Sequence, residues 1–272
     1  MVERFARTAA IAEAAGFDGV QIHAAHGYLI SQFLSPLTNR REDEWGGDAE
    51  RRRRFLIEVV RAVRAAVGST FAVTVKLNSA DFQRGGFTEE ESMDVVSALD
   101  TEDIDVLEIS GGTYEAAVMF SEKNQKLDST RRREAFFLEY AEKVRARTRL
   151  PLMVTGGFRT GEAMRAALSS GAVDLIGMAR PFVVESDIPK KLFADPDAQA
   201  VAVRLATGIK NLDSLIQGAW YQNQIERMAV GKPPKPSLSR WWAIFKYVSP
   251  RRRFARVAPS LPATPRALPS AA

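Results

Sequence analysis

Gly16-Phe17-Asp18-Gly19-Val20-Gln21-Ile22-His23-Ala24-Ala25-His26-Gly27-Tyr28 is the stretch on which the fold of this chain is read. Before it, Glu3 to Ala15 repeats apolar residues at helical spacing, and Gly16 suits the left-handed position that closes a helix. Gly19 to His23 is then short and apolar, as a buried strand is, and it runs straight into two histidines and a tyrosine. The 272 residues contain no other histidine, so this one turn is the first place to look for chemistry.

The same helix–turn–strand unit recurs downstream. Asp48 is placed to cap a helix from Ala49 to Val67 ahead of the strand Phe71–Leu77. Thr88 and Glu91 form a capping box for Glu89–Leu99, ahead of Asp105–Ser110. A helix from Arg131 to Arg147 precedes Pro151–Thr155, and Thr160–Ser169, closed at Gly171, precedes Asp174–Met178. Short apolar strands alternating with helices predict an α/β fold with a helix-covered parallel sheet, either doubly wound or closed as a (β/α)8 TIM barrel. Polar and glycine-rich residues after nearly every strand favour the barrel, as does the absence of a G-x-G-x-x-G fingerprint.

Five strands are legible where a closed barrel has eight, and the chain opens inside a helical pattern. The expectation is a partial barrel equivalent to strands four to eight, with the first three strands and their loops absent upstream. Residues 1–230 form this incomplete domain, including a C-terminal helical extension at Leu212–Met228. Residues 231–272 form a Pro/Arg-rich tail, partly disordered, with disorder expected from Ser249. Within the tail, Trp241-Trp242-Ala-Ile-Phe-Lys-Tyr-Val248 is expected to dock on its own domain rather than to serve as an amphipathic membrane contact.

Composition closes several routes. Without cysteine there are no disulfides, thiolate zinc sites, cysteine nucleophiles or cysteine-ligated clusters within the chain. The 38 basic residues are accompanied by 33 acidic ones and form no basic stripe, so nucleic acid is not an expected partner. No apolar run reaches the roughly 18 residues of a membrane span and no signal-peptide core is present, which predicts a cytoplasmic protein without stable membrane insertion.

Barrels collect their reacting groups at the C-terminal ends of the strands. His23 ends its strand, with His26 and Tyr28 just beyond. Two such imidazoles can donate paired hydrogen bonds to one substrate oxygen, and a nearby phenol can protonate a carbon. The competing reading is two buried histidines satisfied by backbone and a packed tyrosine. No carboxylate or third histidine stands at a spacing that makes a metal site. Lys76, at another strand end, is either half of a structural ion pair or a functional cation. A flavin-free barrel with Lys76 as a Schiff-base amine is a minor reading, since nothing else builds the desolvated pocket it needs.

Several motifs together resemble the Old Yellow Enzyme family of NADH:flavin oxidoreductases and ene-reductases, over roughly Glu3 to Met228. They are His23-Ala-Ala-His26-Gly-Tyr28-Leu-Ile-Ser-Gln-Phe-Leu-Ser-Pro36, Asn39-Arg40-Arg41, Asp43-Glu-Trp-Gly-Gly47, Lys76-Leu-Asn-Ser-Ala-Asp81, Ser110-Gly-Gly-Thr113, Thr155-Gly-Gly157 and Gly177-Met-Ala-Arg180. The resemblance implies an FMN-containing barrel that passes hydride from NAD(P)H, through the flavin, to an activated alkene, enone or similar acceptor. It implies that His23 and His26 bind the electron-withdrawing oxygen of a small-molecule substrate and that Tyr28 protonates Cα. Lys76 matches the cation beside the flavin N1 and C2 carbonyl, while Gly156, Gly157, Ala179 and Arg180 match the turns that hold the FMN phosphate. Where the family often has Gly-Arg, this chain has Ala179-Arg180. The alternative is a non-catalytic truncated remnant or interaction module of the same fold. The runs Arg51–Arg54, Arg131–Arg133 and Arg251–Arg253 read as surface charge, although Arg52 and Arg54 coincide with family positions. The natural substrate, the choice between NADH and NADPH, and the oligomeric state, a homo-oligomer included, are left open.

Overall fold

The computed structural model describes residues 1–110, 139–156, 158–195, 197–201, 203, 205 and 210–249. By internal contacts the chain divides into two units, Met1–Arg204 and Leu205–Ala272.

The first unit is built on five parallel strands: β1 (Gly19–Ala24), β2 (Ala72–Asn78), β3 (Val106–Ser110), β4 (Leu152–Thr155) and β5 (Leu175–Gly177). They lie side by side in chain order, β1-β2-β3-β4-β5. This order separates the two architectures the sequence leaves open. A doubly wound sheet reverses direction at a switch point, whereas a barrel adds each strand to the same side of the last. The sheet is an arc of a (β/α)8 barrel, as expected.

The helices of this unit up to β5 are α1 (Val2–Ala14), ahead of β1, then α2 (Leu29–Leu34), α3 (Ala49–Ala66) and α4 (Glu89–Leu99), followed by a helical stretch at 139–145 and α5 (Gly161–Ser169). Their ends follow the predicted local chemistry. Gly16 takes φ +86°, which an L side chain rarely adopts, and closes α1. Asp48 accepts the Arg51 backbone N–H at the start of α3. Thr88 and Glu91 cap α4 reciprocally, and Thr160 caps α5. Of the helix expected over Arg131–Arg147, only the 139–145 portion falls within the described residues as helix.

One face of the sheet is dry. Ile22, Ala24, Val73, Val75, Leu77, Leu107, Ile109, Leu152 and Val154 are all buried, packed with Phe55, Leu56, Val59, Val60 and Val63 of α3 and Met93, Val95, Val96 and Leu99 of α4. Fully burying one such side chain stabilises by about 1.5–3 kcal/mol. The other face carries the alternate residues: Gln21, His23, Thr74, Lys76, Glu108, Met153, Thr155 and Leu175.

Arg52 departs from the expected solvated face. It is buried on α3, donates to the Leu34 carbonyl at 2.9 Å and to the Gly47 carbonyl, and pairs with Glu91 of α4. One guanidinium thus ties the end of α2, the turn at Gly47, α3 and α4. Asn39 acts similarly, donating to the Phe33 and Trp45 carbonyls at 2.8 Å each. The Asn39–Gly47 segment is therefore braced against α2 and α3.

After β5 come two short helices that the sequence reading does not anticipate, α6 (Arg180–Val184) and α7 (Ile188–Ala194). The second unit contains α8 (Lys210–Ala229), anticipated as Leu212–Met228, and α9 (Arg240–Val248). No helix among the described residues is long and apolar enough to cross a membrane. The expected disorder from Ser249 onward falls on 250–272, outside the described residues, as do Gly111–Thr113, Arg131–Arg133, Gly157 and Arg251–Arg253.

Candidate active site

The strand register brings the chemistry together. His23 of β1 pairs with Lys76 of β2, and Lys76 pairs with Glu108 of β3, so the three stand abreast on neighbouring strands. Lys76 Nζ lies 2.8 Å from Glu108 Oε1, and Gln21 Nε2 donates to Glu108 Oε2 at 2.8 Å. Glu108 is 3% exposed and could not stay charged there unpartnered; its two neighbours satisfy both carboxylate oxygens. The ion pair and the site are one arrangement, so the two readings of Lys76 are not exclusive. An amine engaged by a buried carboxylate at 2.8 Å is not free to attack a carbonyl, which argues against the Schiff-base reading.

The turn after β1 is held in a demanding shape. His26 takes φ +62°, rare for a residue with a side chain, and Gly27 follows at +78°. Two bonds to neighbouring strands pin it: His26 N–H donates to Asn78 Oδ1 at 3.1 Å, and His26 Nε2 lies 2.7 Å from Ser110 Oγ. Tyr28 then caps α2. The three rings form a cluster, with centroids 5.2 Å apart for His23 and His26 and 4.8 Å apart for His23 and Tyr28.

Both imidazoles are kept neutral. Burial lowers the pKa of His26 to about 4, helped by Lys76 and His23 and opposed by Glu108. Burial and then Lys76 also lower that of His23 from its ordinary value, again against Glu108. His23 Nδ1 accepts the Ala25 N–H at 3.2 Å, so the single proton of the neutral ring belongs on Nε2. Tyr28 is 44% exposed beside them. His23 can therefore present a neutral Nε2–H to a substrate oxygen, and His26 its Nδ1–H when Ser110 Oγ–H donates to Nε2, with a phenol at hand.

Of the remaining predicted residues, the described ones, Gly156, Ala179 and Arg180, follow β4 and β5 at the same end of the sheet. Thr155 pairs with Gly177, so the turns beginning at Gly156 and Met178 leave neighbouring strands together. Gly156 takes φ +136°, available to glycine. Ala179 is the N-cap of α6 and Arg180 its first residue, half-buried.

Residues 1–196 match the model of the NADH:flavin oxidoreductase / NADH oxidase family. The chain belongs to this family. Among its relatives is the NADH-dependent flavin oxidoreductase iccE of Talaromyces variabilis, 37% identical over 245 residues, covering 84% of this chain and 59% of that protein. The structure of an old yellow enzyme homologue from Zymomonas mobilis is similar with a TM-score of 0.58 and 31% identity, over 74% of this chain and 53% of that one. A 2-naphthoyl-CoA reductase complex gives a TM-score of 0.66 at 28% identity, over 74% of this chain and 30% of that one. The chain spans about half, or less, of the length of these relatives.

For a member of the NADH:flavin oxidoreductase family, four residues at the site had no role assigned from sequence: Gln21, Asn78, Glu108 and Ser110. A signal for them exists. Thr74, Lys76 and Asn78, and likewise Glu108 and Ser110, are polar residues at alternate positions of otherwise apolar strands, which places them on one face.

Proposed function

We propose that this chain carries the acceptor-binding and proton-donating part of an FMN-dependent oxidoreductase that reduces an activated alkene, enone or similar acceptor at the expense of NAD(P)H. The observation that carries the reading is the neutral His23–His26 pair beside Tyr28, on the same sheet face as the Lys76–Glu108 ion pair.

The donor chemistry of that face fits FMN. Lys76 supplies a cation for the electron-rich edge of the ring, and the turn at Gly156 and Gly157 lets backbone N–H groups approach a phosphate that Arg180 can grip. Ala179 leaves room for the same backbone contact. FMN, when bound, supplies the hydride taken from NAD(P)H.

The rest belongs to the chain. His23 and His26 donate hydrogen bonds to the carbonyl or nitro oxygen of the acceptor and withdraw charge from its alkene. Their low pKa values matter, because a neutral N–H donor gives up no proton to solvent at neutral pH and keeps its orientation. Tyr28 delivers the proton to Cα as charge accumulates there. Glu108 and Gln21 hold Lys76 in place, and Asn78 and Ser110 hold His26. Dependence on a nicotinamide donor goes with a cytoplasmic location.

Titrating the full chain into FMN and following flavin fluorescence tests the reading. Saturable quenching, weakened by Lys76→Ala and Arg180→Ala, is expected, followed by NADH bleaching the visible band and an enone restoring it. Absence of quenching removes the enzyme reading for this polypeptide. It would favour the second reading, a non-catalytic module of the same fold, which draws support from β1 and β5, each paired on one side only among the described residues.

A further inference from the structure

The charge of the chain is not evenly spread. From Val230 to the last residue there are nine Lys and Arg (Lys232, Lys235, Arg240, Lys246, Arg251–Arg253, Arg256 and Arg266) and no Asp or Glu. The 229 residues before them hold the other 29 basic residues and all 33 acidic ones, a net charge of −4. The net +5 of the protein is thus the product of a basic end on an otherwise acidic chain. Such asymmetry points to an anionic surface as partner.

The helix α9 lies within this basic segment. Its docking on its own unit is made by its small side: Ala243 is buried, and its carbonyl accepts from Asn223 of α8 at 3.1 Å. The connecting turn is fixed as well, Trp220 Nε1 donating to the Leu238 carbonyl at 2.9 Å, and Gln224 and Lys235 exchanging two bonds at 2.9 and 2.7 Å. The aromatic side is turned the other way. Trp241 is 55% exposed, Trp242 49%, Phe245 69% and Val248 62%. At 100° per residue these four occupy an arc of about 120°, opposite Ala243. The expectation that this run docks on its own domain therefore holds for the helix and fails for its aromatic rings.

Basic groups stand on the shoulders of the arc. The Arg240 guanidinium lies 5.7 Å from the Trp241 ring centre, and Lys246 Nζ lies 5.5 Å from that of Trp242 while pairing with Glu226 at 3.0 Å. Exposed tryptophans flanked by cations, on a helix too short to span, match the interfacial zone of a bilayer, where indole sits among the headgroups and arginine meets lipid phosphate. A nucleic acid is less well matched, because the arc is convex and includes Phe245 and Val248, with no groove to follow a strand.

We propose that the exposed arc of α9, flanked by Arg240 and Lys246, is a peripheral docking surface for an anionic phospholipid bilayer. The helix lies in the headgroup plane on Trp241, Trp242, Phe245 and Val248, and Arg240, Lys246 and the net positive charge of the sequence from Val230 on draw it to acidic lipid. The surface belongs to the second unit and does not depend on the chemistry at the strand ends.

Co-sedimentation of the full chain tests this with vesicles of phosphatidylcholine alone and of phosphatidylcholine with about a third phosphatidylserine. Binding is expected to the acidic vesicles, at least about tenfold weaker to the neutral ones, and to fall steeply as salt rises from about 0.1 M to about 0.5 M. Tryptophan emission should shift to the blue on binding. Trp241→Ser with Phe245→Ser, both exposed and so harmless to folding, should cost about tenfold or more. Replacing Arg251, Arg252 and Arg253 together by Gln should cost about a hundredfold. The proposal is overturned by equal or absent binding to both vesicles, or by variants that bind like the natural chain. It is also overturned by tighter binding to RNA than to acidic vesicles, or by a dimer in sedimentation that the Trp241/Phe245 variant dissolves, which would identify a second copy as the occupant.

Discussion

The two faces of the β1–β5 sheet are made by the same strands and obey different rules. On the helix-covered face the strand residues are apolar, and Ile22 and Ala24, Val73, Val75 and Leu77, Leu107, Ile109, Leu152 and Val154 are all buried. One residue away along each strand the other face carries Gln21, His23, Lys76, Glu108 and Thr155. Because side chains alternate, each strand contributes stability with one set of positions and chemistry with the other. Both faces are pinned by the same register, so neither can shift alone.

That division gives an ordered set of outcomes. Truncating the dry face has the largest effect on folding: Leu77→Ala or Leu107→Ala should cost about 3 kcal/mol, read as a lower midpoint in urea unfolding, because a fully buried side chain leaves a cavity. Glu108→Gln comes next. It leaves Lys76 beside a neutral amide in a largely buried place and should cost about 2 kcal/mol by the same assay. A loss as large from His23→Ala would break the division between faces, since the half-buried His23 is expected to change stability by less than about 1 kcal/mol.

On the chemical face, Tyr28→Phe should slow turnover of an enone by about 100-fold, in stopped-flow or steady-state assays of FMN-loaded protein, with little change in acceptor binding. The pH dependence has a fixed sign. A histidine whose folded pKa lies near 4, against an ordinary 6.5, binds fewer protons folded than unfolded in between. Stability therefore falls as pH drops from about 6.5 toward 4, and His26→Asn should flatten that slope.

Much of this was legible in the sequence where local chemistry decides it. Gly16, Asp48, Thr88 with Glu91, and Gly171 mark helix ends through backbone bonds or a left-handed φ that few residues supply, and the structure uses each. The short helices α6 and α7 escaped because five and seven residues are too few to show a period. Arg52 escaped because an arginine within a run of four resembles solvated charge until tertiary contacts from Leu34, Gly47 and Glu91 surround it. The His23–His26–Tyr28 cluster could be found from spacing alone. Its partners Glu108 and Ser110 lie 80 or more residues away from it in the chain, and only the parallel register brings them near.

The claim on which the site rests is that the Lys76-bearing face keeps both strand-end imidazoles neutral. Since His23 and His26 are the only histidines, the full chain gives just two imidazole C2–H resonances, and a proton NMR titration reads them directly. A midpoint near 4 for His26, with His23 also below 6.5, is the expected result. Two midpoints at or above 6.5 would contradict it, and with it the assignment of these residues as neutral hydrogen-bond donors to a substrate oxygen.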